Sequence, residues 1–317
     1  MILVTGCAGF IGFHLCRHLL GNGVQVLGVD NLNNYYSPKL KEARLEMVQQ
    51  SKNFTFQKLD ICNQPELNKL KSYKIELIIH LAAQPGVRYS LENPHAYTKN
   101  NIDGHLNILE FARQLPALKK LVYASSSSIY GNNEKVPFAV DDITDNPASV
   151  YAATKKACEL LSQTYFNLYK IPMVGLRFFT VYGPWGRPDM SPYKFTEAIF
   201  KDRAIDVYNF GKMQRDFTYI DDIISGINAT LHLKHKDHRI YNLGNHKPVE
   251  LMHFIKTLEK AIGKSAKINM LPMQPGEVLT TYADIEKSFN DLNFKPKTSI
   301  EDGLPMFVKW FKEYHNN

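Results

Sequence analysis

Tyr151 and Lys155 stand four residues apart in the run YAATK, which places a phenol and an ammonium one turn apart on one face of a helix. A phenol, with its pKa of about 10, is a poor base at neutral pH. A cation beside it favours the phenolate, so such a pair suits removal of a proton from a substrate hydroxyl. Ser126, in the block SSSSIYG that follows the apolar run 118–124, can share that proton. A Tyr and a Lys at this spacing also meet on ordinary helix surfaces. Here, however, they follow a glycine turn, a buried strand and a serine-ended strand in that order.

The glycine turn is Gly6, Gly9 and Gly12, directly after the apolar run Ile2-Leu3-Val4-Thr5. Ile11, Leu15 and Leu19 then repeat at helical spacing, and a second apolar run from Val24 ends on Asp30. Strand, glycine turn, helix, strand, acid is the order that holds a dinucleotide. Residues without a Cβ let backbone approach a pyrophosphate, and the helix N-terminus faces the phosphates. A carboxylate at Asp30 accepts both hydroxyls of an adenosine ribose and repels a 2′-phosphate, which favours NAD over NADP. The alternative is an ordinary βαβ unit without a cofactor.

The elements that must position these groups alternate regularly. Helices are expected over 39–50, 65–70, 94–113 and 149–169, and strands over 54–59, 77–83, 118–124 and 173–179. This pattern implies an α/β fold, a doubly wound parallel Rossmann sheet with right-handed crossovers. The alternation stops near 180. We therefore expect a Rossmann domain over 1–179 and a smaller α/β lobe over 180–317 that closes on the sheet's C-terminal edge, with parts of the chain crossing between them. Leu81, Ala82 and Ala83 end the fourth strand in small residues, as a cofactor crossing that edge requires. Asp60, followed by Ile61, is placed to accept from an adenine edge. The expected NAD wall is Gly6, Gly9, Phe10, Ile11, Gly12, Asp30, Asn31, Asp60, Ile61, Leu81, Ala82, Ala83 and Asn100, completed by Tyr151 and Lys155.

Composition narrows the class. The chain has 317 residues, 44% hydrophobic and 22% charged, the profile of a folded globular protein. The net charge of +7 is dispersed, without a dense basic block, so no nucleic-acid partner is expected. No apolar run is long enough for a bilayer, so no membrane partner is expected. The first strand begins at residue 2, which leaves no room for a leader, and the expected location is cytoplasmic. Cys7, Cys16, Cys62 and Cys158 are scattered, without zinc-type spacing. His232, His235 and His238 recur every third residue, yet among lysines at a helix end they read as solvated surface, so no metal is expected. His80 reads as a hydrogen-bonded core residue.

Taken together, TGCAGFIG at 5–12, VDNLNNYY at 29–36, HLAAQPGVRYS at 80–90, the serine block, YAATK at 151–155, LRFFTVYGPWGRPDM at 176–190 and GKMQRDFTYIDD at 211–222 resemble the extended short-chain dehydrogenase/reductase family. The resemblance covers nearly the whole chain, and within that family it is strongest to the NAD-dependent sugar-nucleotide epimerases, most of all the UDP-glucuronate 4-epimerases. It implies Tyr151 as the base, Lys155 as its partner and Ser126 as the hydroxyl relay. It also implies that Ser127, Ser128 and Thr180 hold the substrate carboxylate with Arg187 nearby, and that Arg215, Gln274 and Glu277 face the UDP moiety. Arg88 is a carboxylate or phosphate contact, or simply a loop cation. Ser127 and Ser128 can equally serve only to cap a tight turn.

The activity implied is oxidation of the sugar at C4, rotation of the 4-keto sugar, and return of the hydride to its other face, with NAD retained. A 4-keto uronic acid is a β-keto acid and loses CO₂ readily. Dehydratases and decarboxylases of the superfamily carry an acid in the stretch before Val/Ile-Tyr-Gly, whereas this chain carries only serines there. The remaining alternatives are a UDP-hexose or UDP-N-acetylhexosamine 4-epimerase, a UDP-glucuronate decarboxylase, a net reductase, and a non-catalytic NAD-binding regulator. By the same resemblance, two copies are expected to pair as a homodimer through helices near 94–113 and 149–169.

Overall fold

The computed structural model describes residues 1–274 and 278–315. Strands β1 (Ile2–Thr5), β2 (Val26–Asp30), β3 (Phe54–Lys58), β4 (Leu77–His80), β5 (Lys120–Ser126) and β6 (Met173–Phe178) follow the expected alternation. The apolar side chains of β1, β2 and β6 are buried on both faces and those of β4 and β5 nearly so, as helices on either side of a parallel sheet require, whereas Phe54 and Phe56 of the edge strand β3 are half-buried. Beyond β6 come β7 (Thr180–Tyr182), β8 (Ala204–Val207), β9 (Gln214–Tyr219) and β10 (His238–Leu243), then β11 (Pro248–Glu250), β12 (Lys267–Met270) and β13 (Thr280–Thr281).

The main sheet runs β10-β6-β5-β4-β1-β2-β3, and its neighbours pair in parallel throughout. Strand order reverses between β1 and β4, with Thr5 opposite His80. That reversal leaves a crevice at the carboxyl edge, where open α/β sheets bind their ligands. The sheet's seventh strand, β10, comes from beyond residue 180: the chain crosses back and lies parallel to β6.

The smaller lobe carries β11-β9-β13, with β7 pairing β9, and a separate β8–β12 ladder. Its link to the main sheet is polar as well as apolar. Asp216 of β9 is fully buried and accepts from the backbone N–H groups of Asn245, His246 and Ala283 at 2.6, 3.0 and 3.0 Å. Arg44, wholly buried in the helix Pro38–Gln49, donates to the carbonyls of Ala8, at 3.0 Å, and Trp185, at 2.7 Å.

One helix departs from its expectation. The amphipathic stretch 94–113 is not a uniform α-helix, because Thr98–Asp103 winds as a wider π turn between two α segments. Hydrophobic spacing does not reveal such a turn, and π turns concentrate at functional sites. Within it, Asn101 clamps the backbone of Gln84, accepting from its N–H at 2.7 Å and donating to its carbonyl at 3.0 Å.

Candidate active site

A cavity of about 810 Å³ opens along the carboxyl edge, walled by the main sheet on one side and the smaller lobe on the other. Its floor is the glycine turn. Gly6 adopts φ +72°, and a Cβ there would lie 2.8 Å from the Ala82 nitrogen. At Gly12 a Cβ would stand 2.1 Å from the Gly6 carbonyl oxygen, so glycine is obligatory. The helix Phe10–Gly21 starts at Gly9, which has no side-chain cap, and its first turn carries no acid. Its leading N–H groups are thus left for an anion.

Asp30 ends β2 in the cavity wall, with its carboxylate fixed by the N–H groups of Ala8 at 3.1 Å and Leu32 at 2.9 Å. Asn31, Leu59, Ile61, Leu81, Ala82, Ala83 and Asn100 extend this wall. Asp60 lies between the wall residues Leu59 and Ile61, and its oxygens accept from Cys62 N–H, at 2.9 Å, and the Asn31 amide, at 3.3 Å, so it stiffens the turn at the wall's edge. A glycine cradle that admits no Cβ, with a backbone-fixed carboxylate facing the same space, fits a dinucleotide with a free ribose.

The helix Val150–Tyr169 supplies the opposite side of this half. Ser149 caps it, accepting from Ala152 N–H at 3.1 Å, so its first turn begins at the cavity with Tyr151. One turn later Lys155, nearly fully buried, donates to the Ala124 carbonyl of β5 at 2.9 Å. The Tyr151 ring stands edge-on to Tyr97, whose hydroxyl is anchored on the Pro85 carbonyl at 2.7 Å. Ser126 lines the same wall, and its Oγ accepts from Ser128 N–H at 3.2 Å and donates to Ser128 Oγ at 3.1 Å. Ser127 and Ser128 lie in the short turn Ser127–Tyr130 and also line the cavity.

The smaller lobe brings Thr180, Arg187 and Arg215 to the far wall, and Arg88 reaches it from the main domain. Arg187 is forked onto Asp189, with Nε to Oδ1 at 3.0 Å. Burial works against the Arg187 charge, but Asp189 more than offsets it, so the guanidinium holds its proton more firmly than usual. Tyr35, from the loop after β2, donates to Asp189 at 3.1 Å and so bridges the cleft. Arg88 lies over the Tyr208 ring, 4.6 Å from its centroid. Arg215 donates to the carbonyls of Gln214 and Leu279 at 2.8 and 3.1 Å. Gln274 is half-buried and outside the cavity wall, and Glu277 lies outside the described residues.

Several functional-looking groups carry no sequence signal. Lys41 reads as one charge among many in its helix, yet it is buried in the cavity wall and holds Asn33 by its carbonyl and side-chain oxygens, both at 2.7 Å. Tyr35 and Asp189 fall inside two of the quoted motifs, but nothing in their spacing links one to the other. The histidine reading needs correction at two positions. His238 is half-buried, and its ring bonds Tyr123 Oη and Gln163 Oε1, both at 2.8 Å. The His235 side chain is fully buried, and its Nδ1 lies 3.0 Å from Asp237 Oδ1. No cluster of metal-ligand type occurs among the described residues. His80 is a core residue, 2.7 Å from Thr5 Oγ1, and burial together with His105 and Lys155 keeps it neutral.

Residues 3–307 match the family described as GDP-mannose 4,6 dehydratase. An uncharacterized protein of Methanocaldococcus jannaschii is 55% identical over 315 residues, spanning 98% of this chain and 96% of its own length. A protein named probable UDP-glucuronate 4-epimerase from Rhizobium meliloti is 46% identical, spanning 98% of this chain and 96% of its own length. Among solved structures, UDP-glucuronic acid 4-epimerase from Bacillus cereus, in complex with UDP-glucuronic acid and NAD, superposes with a TM-score of 0.93. It is 37% identical over 99% of both chains.

Proposed function

Because this chain belongs to the GDP-mannose 4,6 dehydratase family, we propose that it is an NAD-dependent UDP-glucuronate 4-epimerase, interconverting UDP-glucuronate and UDP-galacturonate through a transient 4-keto sugar. The observation that carries this reading is one cavity wall that presents Tyr151, Lys155 and Ser126 beside the glycine cradle, next to a turn of serines without an acid. Relatives and solved neighbours named for the same activity support it.

NAD, when bound there, would supply the hydride acceptor and donor for the sugar's C4. Gly6, Gly9 and Gly12 let the backbone meet its pyrophosphate, with Phe10 and Ile11 opening the helix there, while Asp30 takes the ribose hydroxyls. Tyr151 takes the proton of the 4-hydroxyl, and Ser126 shares it. Lys155, held on the Ala124 carbonyl, stabilises the phenolate. Ser127 and Ser128, from the turn beside the catalytic wall, and Thr180, from the far wall, grip the carboxylate by hydroxyls, with Arg187 on the far wall beside Thr180. This keeps the bond from C5 to the carboxyl carbon out of line with the C4 carbonyl. Arg215 faces the pyrophosphate of UDP, which suits a guanidinium fork.

A homodimer and a cytoplasmic location complete the reading. Leu160, Leu168 and Tyr169 are exposed on the Tyr151 helix, a surface suited to a second copy. All four cysteines are free, and no described helix is long and apolar enough to cross a membrane.

The test is incubation with UDP-glucuronate, and separately with UDP-glucose and UDP-N-acetylglucosamine, followed by sugar NMR and mass. Inversion at C4 of the uronate at constant mass is expected. Loss of CO₂ establishes a decarboxylase instead, and inversion of the neutral sugars alone establishes a hexose epimerase.

A further inference from the structure

A buried ion pair lies directly beneath the proposed catalytic wall, and nothing in the chemistry above uses it. Glu159 follows Tyr151 and Lys155 at four-residue steps on the same helix, so all three share one face. The first two address the cavity, and Glu159 goes under it. Its Oε1 accepts from Ser125 Oγ at 2.6 Å and from Arg177 Nε at 2.9 Å, while its Oε2 accepts from Arg177 Nη2 at 2.9 Å. The side chains of Arg177 and Glu159 are only 4% and 5% exposed. Arg177 sits on β6 directly opposite Ser125 of β5. Its remaining nitrogen, Nη1, donates to Tyr130 Oη at 2.9 Å and to the Val140 carbonyl at 2.8 Å. Tyr130 closes the serine turn, and its hydroxyl donates onward to Asn242 Oδ1 of β10 at 2.7 Å.

We propose that Glu159 and Arg177 are positioning residues that fix the serine turn against the Tyr151 helix, and that they thereby decide between epimerisation and loss of CO₂. The proposal rests on the UDP-glucuronate reading. The helix is bolted to β5 at two successive residues, Lys155 to Ala124 and Glu159 to Ser125. Through Arg177 and Tyr130 the same network reaches the far end of the turn that carries Ser127 and Ser128. A buried pair is weak evidence for stability, because apolar residues can replace it without loss, whereas a forked pair with its remaining donors satisfied fixes orientation. Orientation is what the 4-keto uronate demands. When the carboxylate swings into line with the carbonyl, the bond from C5 to the carboxyl carbon breaks and CO₂ leaves. The electron pair passes into the C4 carbonyl as an enolate, and C5 takes a proton from solvent. Control of that plane lies with the turn, and control of the turn lies with Arg177.

Two variants test this, each read by kcat, by KM for UDP-glucuronate, and by the ratio of CO₂ released to C4 epimer formed. Tyr130→Phe removes one hydroxyl and leaves the ion pair whole, so it keeps the fold. Glu159→Gln keeps the shape and removes the charge. For both, kcat is expected to fall on the order of 10- to 100-fold with a smaller change in KM, as a misplaced site gives. The CO₂-to-epimer ratio is expected to rise, more for Glu159→Gln. Folded variants whose ratio equals that of the wild type, beside a wild type that epimerises UDP-glucuronate, overturn the positioning role alone. A wild type inactive on UDP-glucuronate removes the functional reading and this proposal with it.

Discussion

Asp30→Ala is the sharpest test of the cofactor half of the cavity. In the wild type both carboxylate oxygens are pinned by backbone N–H groups, at 3.1 Å from Ala8 and 2.9 Å from Leu32, so the carboxylate meets a ribose without reorganising. Two hydroxyl hydrogen bonds to a charged acceptor contribute about 1.5–3 kcal/mol each. Their loss corresponds to a fall in NAD affinity of about 10²- to 10⁴-fold. The same substitution removes a repulsion from any 2′-phosphate, which for unit charges near contact in a partly screened site is of order 4 kcal/mol. Lys41 then matters. It is buried beside Asp30, where burial lowers its pKa and the carboxylate opposes that shift, and its ammonium already holds two oxygens of Asn33. With Asp30 gone, the cation remains at the ribose edge, and the preference should turn toward NADP. Titration calorimetry on protein stripped of nucleotide, at one fixed salt concentration, reads both affinities, and adding Lys41→Met should cancel the gain for NADP. An Asp30→Ala protein that binds NAD as the wild type does, and still rejects NADP, would refute this account of the ribose edge.

Three further outcomes are expected. Tyr151→Phe should leave NAD binding intact and lower kcat by about 10²- to 10⁴-fold, the usual contribution of a positioned general base, measured by NMR of the sugar product. Gly12→Ala places a methyl group 2.1 Å from the Gly6 carbonyl oxygen, so calorimetry should find no NAD binding, and chemical denaturation a loss of about 1–3 kcal/mol or more. His14 donates from Nε2 to the Pro184 carbonyl at 2.9 Å, and its pKa is lowered to about 4, chiefly by burial. The unfolded chain therefore binds a proton below pH 6.5 that the folded chain refuses until about 4, and stability falls on acidification through that window by at most ~3 kcal/mol. Denaturation of His14→Gln across the same range should show a shallower fall.

What the sequence could reveal of this molecule follows a physical line. The glycine turn, Asp30 and Tyr151–Lys155 are legible because each works within one element or one turn, where spacing and residue type are the whole of the geometry. The seven-stranded sheet is legible up to β6 for the same reason. Strand β10 is visible as a strand but not as a member of the main sheet, because its partner, β6, lies some sixty residues earlier and only the three-dimensional path brings Arg239 opposite Val174. The π turn at Thr98–Asp103, which carries the cavity-lining Asn100, hides because one wider turn in a stretch of about twenty residues changes too few apolar positions to stand out from the helical period. Lys41, Arg44 and Tyr35 hide because what they hold is backbone carbonyls or side chains outside their own element, and Asp189, though two residues from Arg187, hides because its tie to Tyr35 spans 154 residues. Asp60 is read from a pattern of another kind, a carboxylate placed after a strand at the sheet edge; the structure adds that its two oxygens also accept from Cys62 and Asn31, local ties that leave acceptor sites for a ligand.

Epimerisation makes two opposed demands on such a cavity, and the architecture separates them. The sugar hydroxyl must be held against its base, and the carbon that exchanges hydride against its acceptor, to within about 0.5 Å of the productive geometry, whereas the sugar must turn over between the two hydride transfers. The first demand falls on the main sheet, where Lys155 and Glu159 anchor the helix to successive residues of β5. The second falls on the facing lobe, tied across the cleft by Arg44 on the carbonyls of Trp185 and Gly186 and by Tyr35 on Asp189. Those ties bind rim to rim and leave the space between them open, so the far wall keeps its distance while its interior stays clear. A ligand held at both ends, by its nucleotide and by its carboxylate, can then rotate between them without the base having to move.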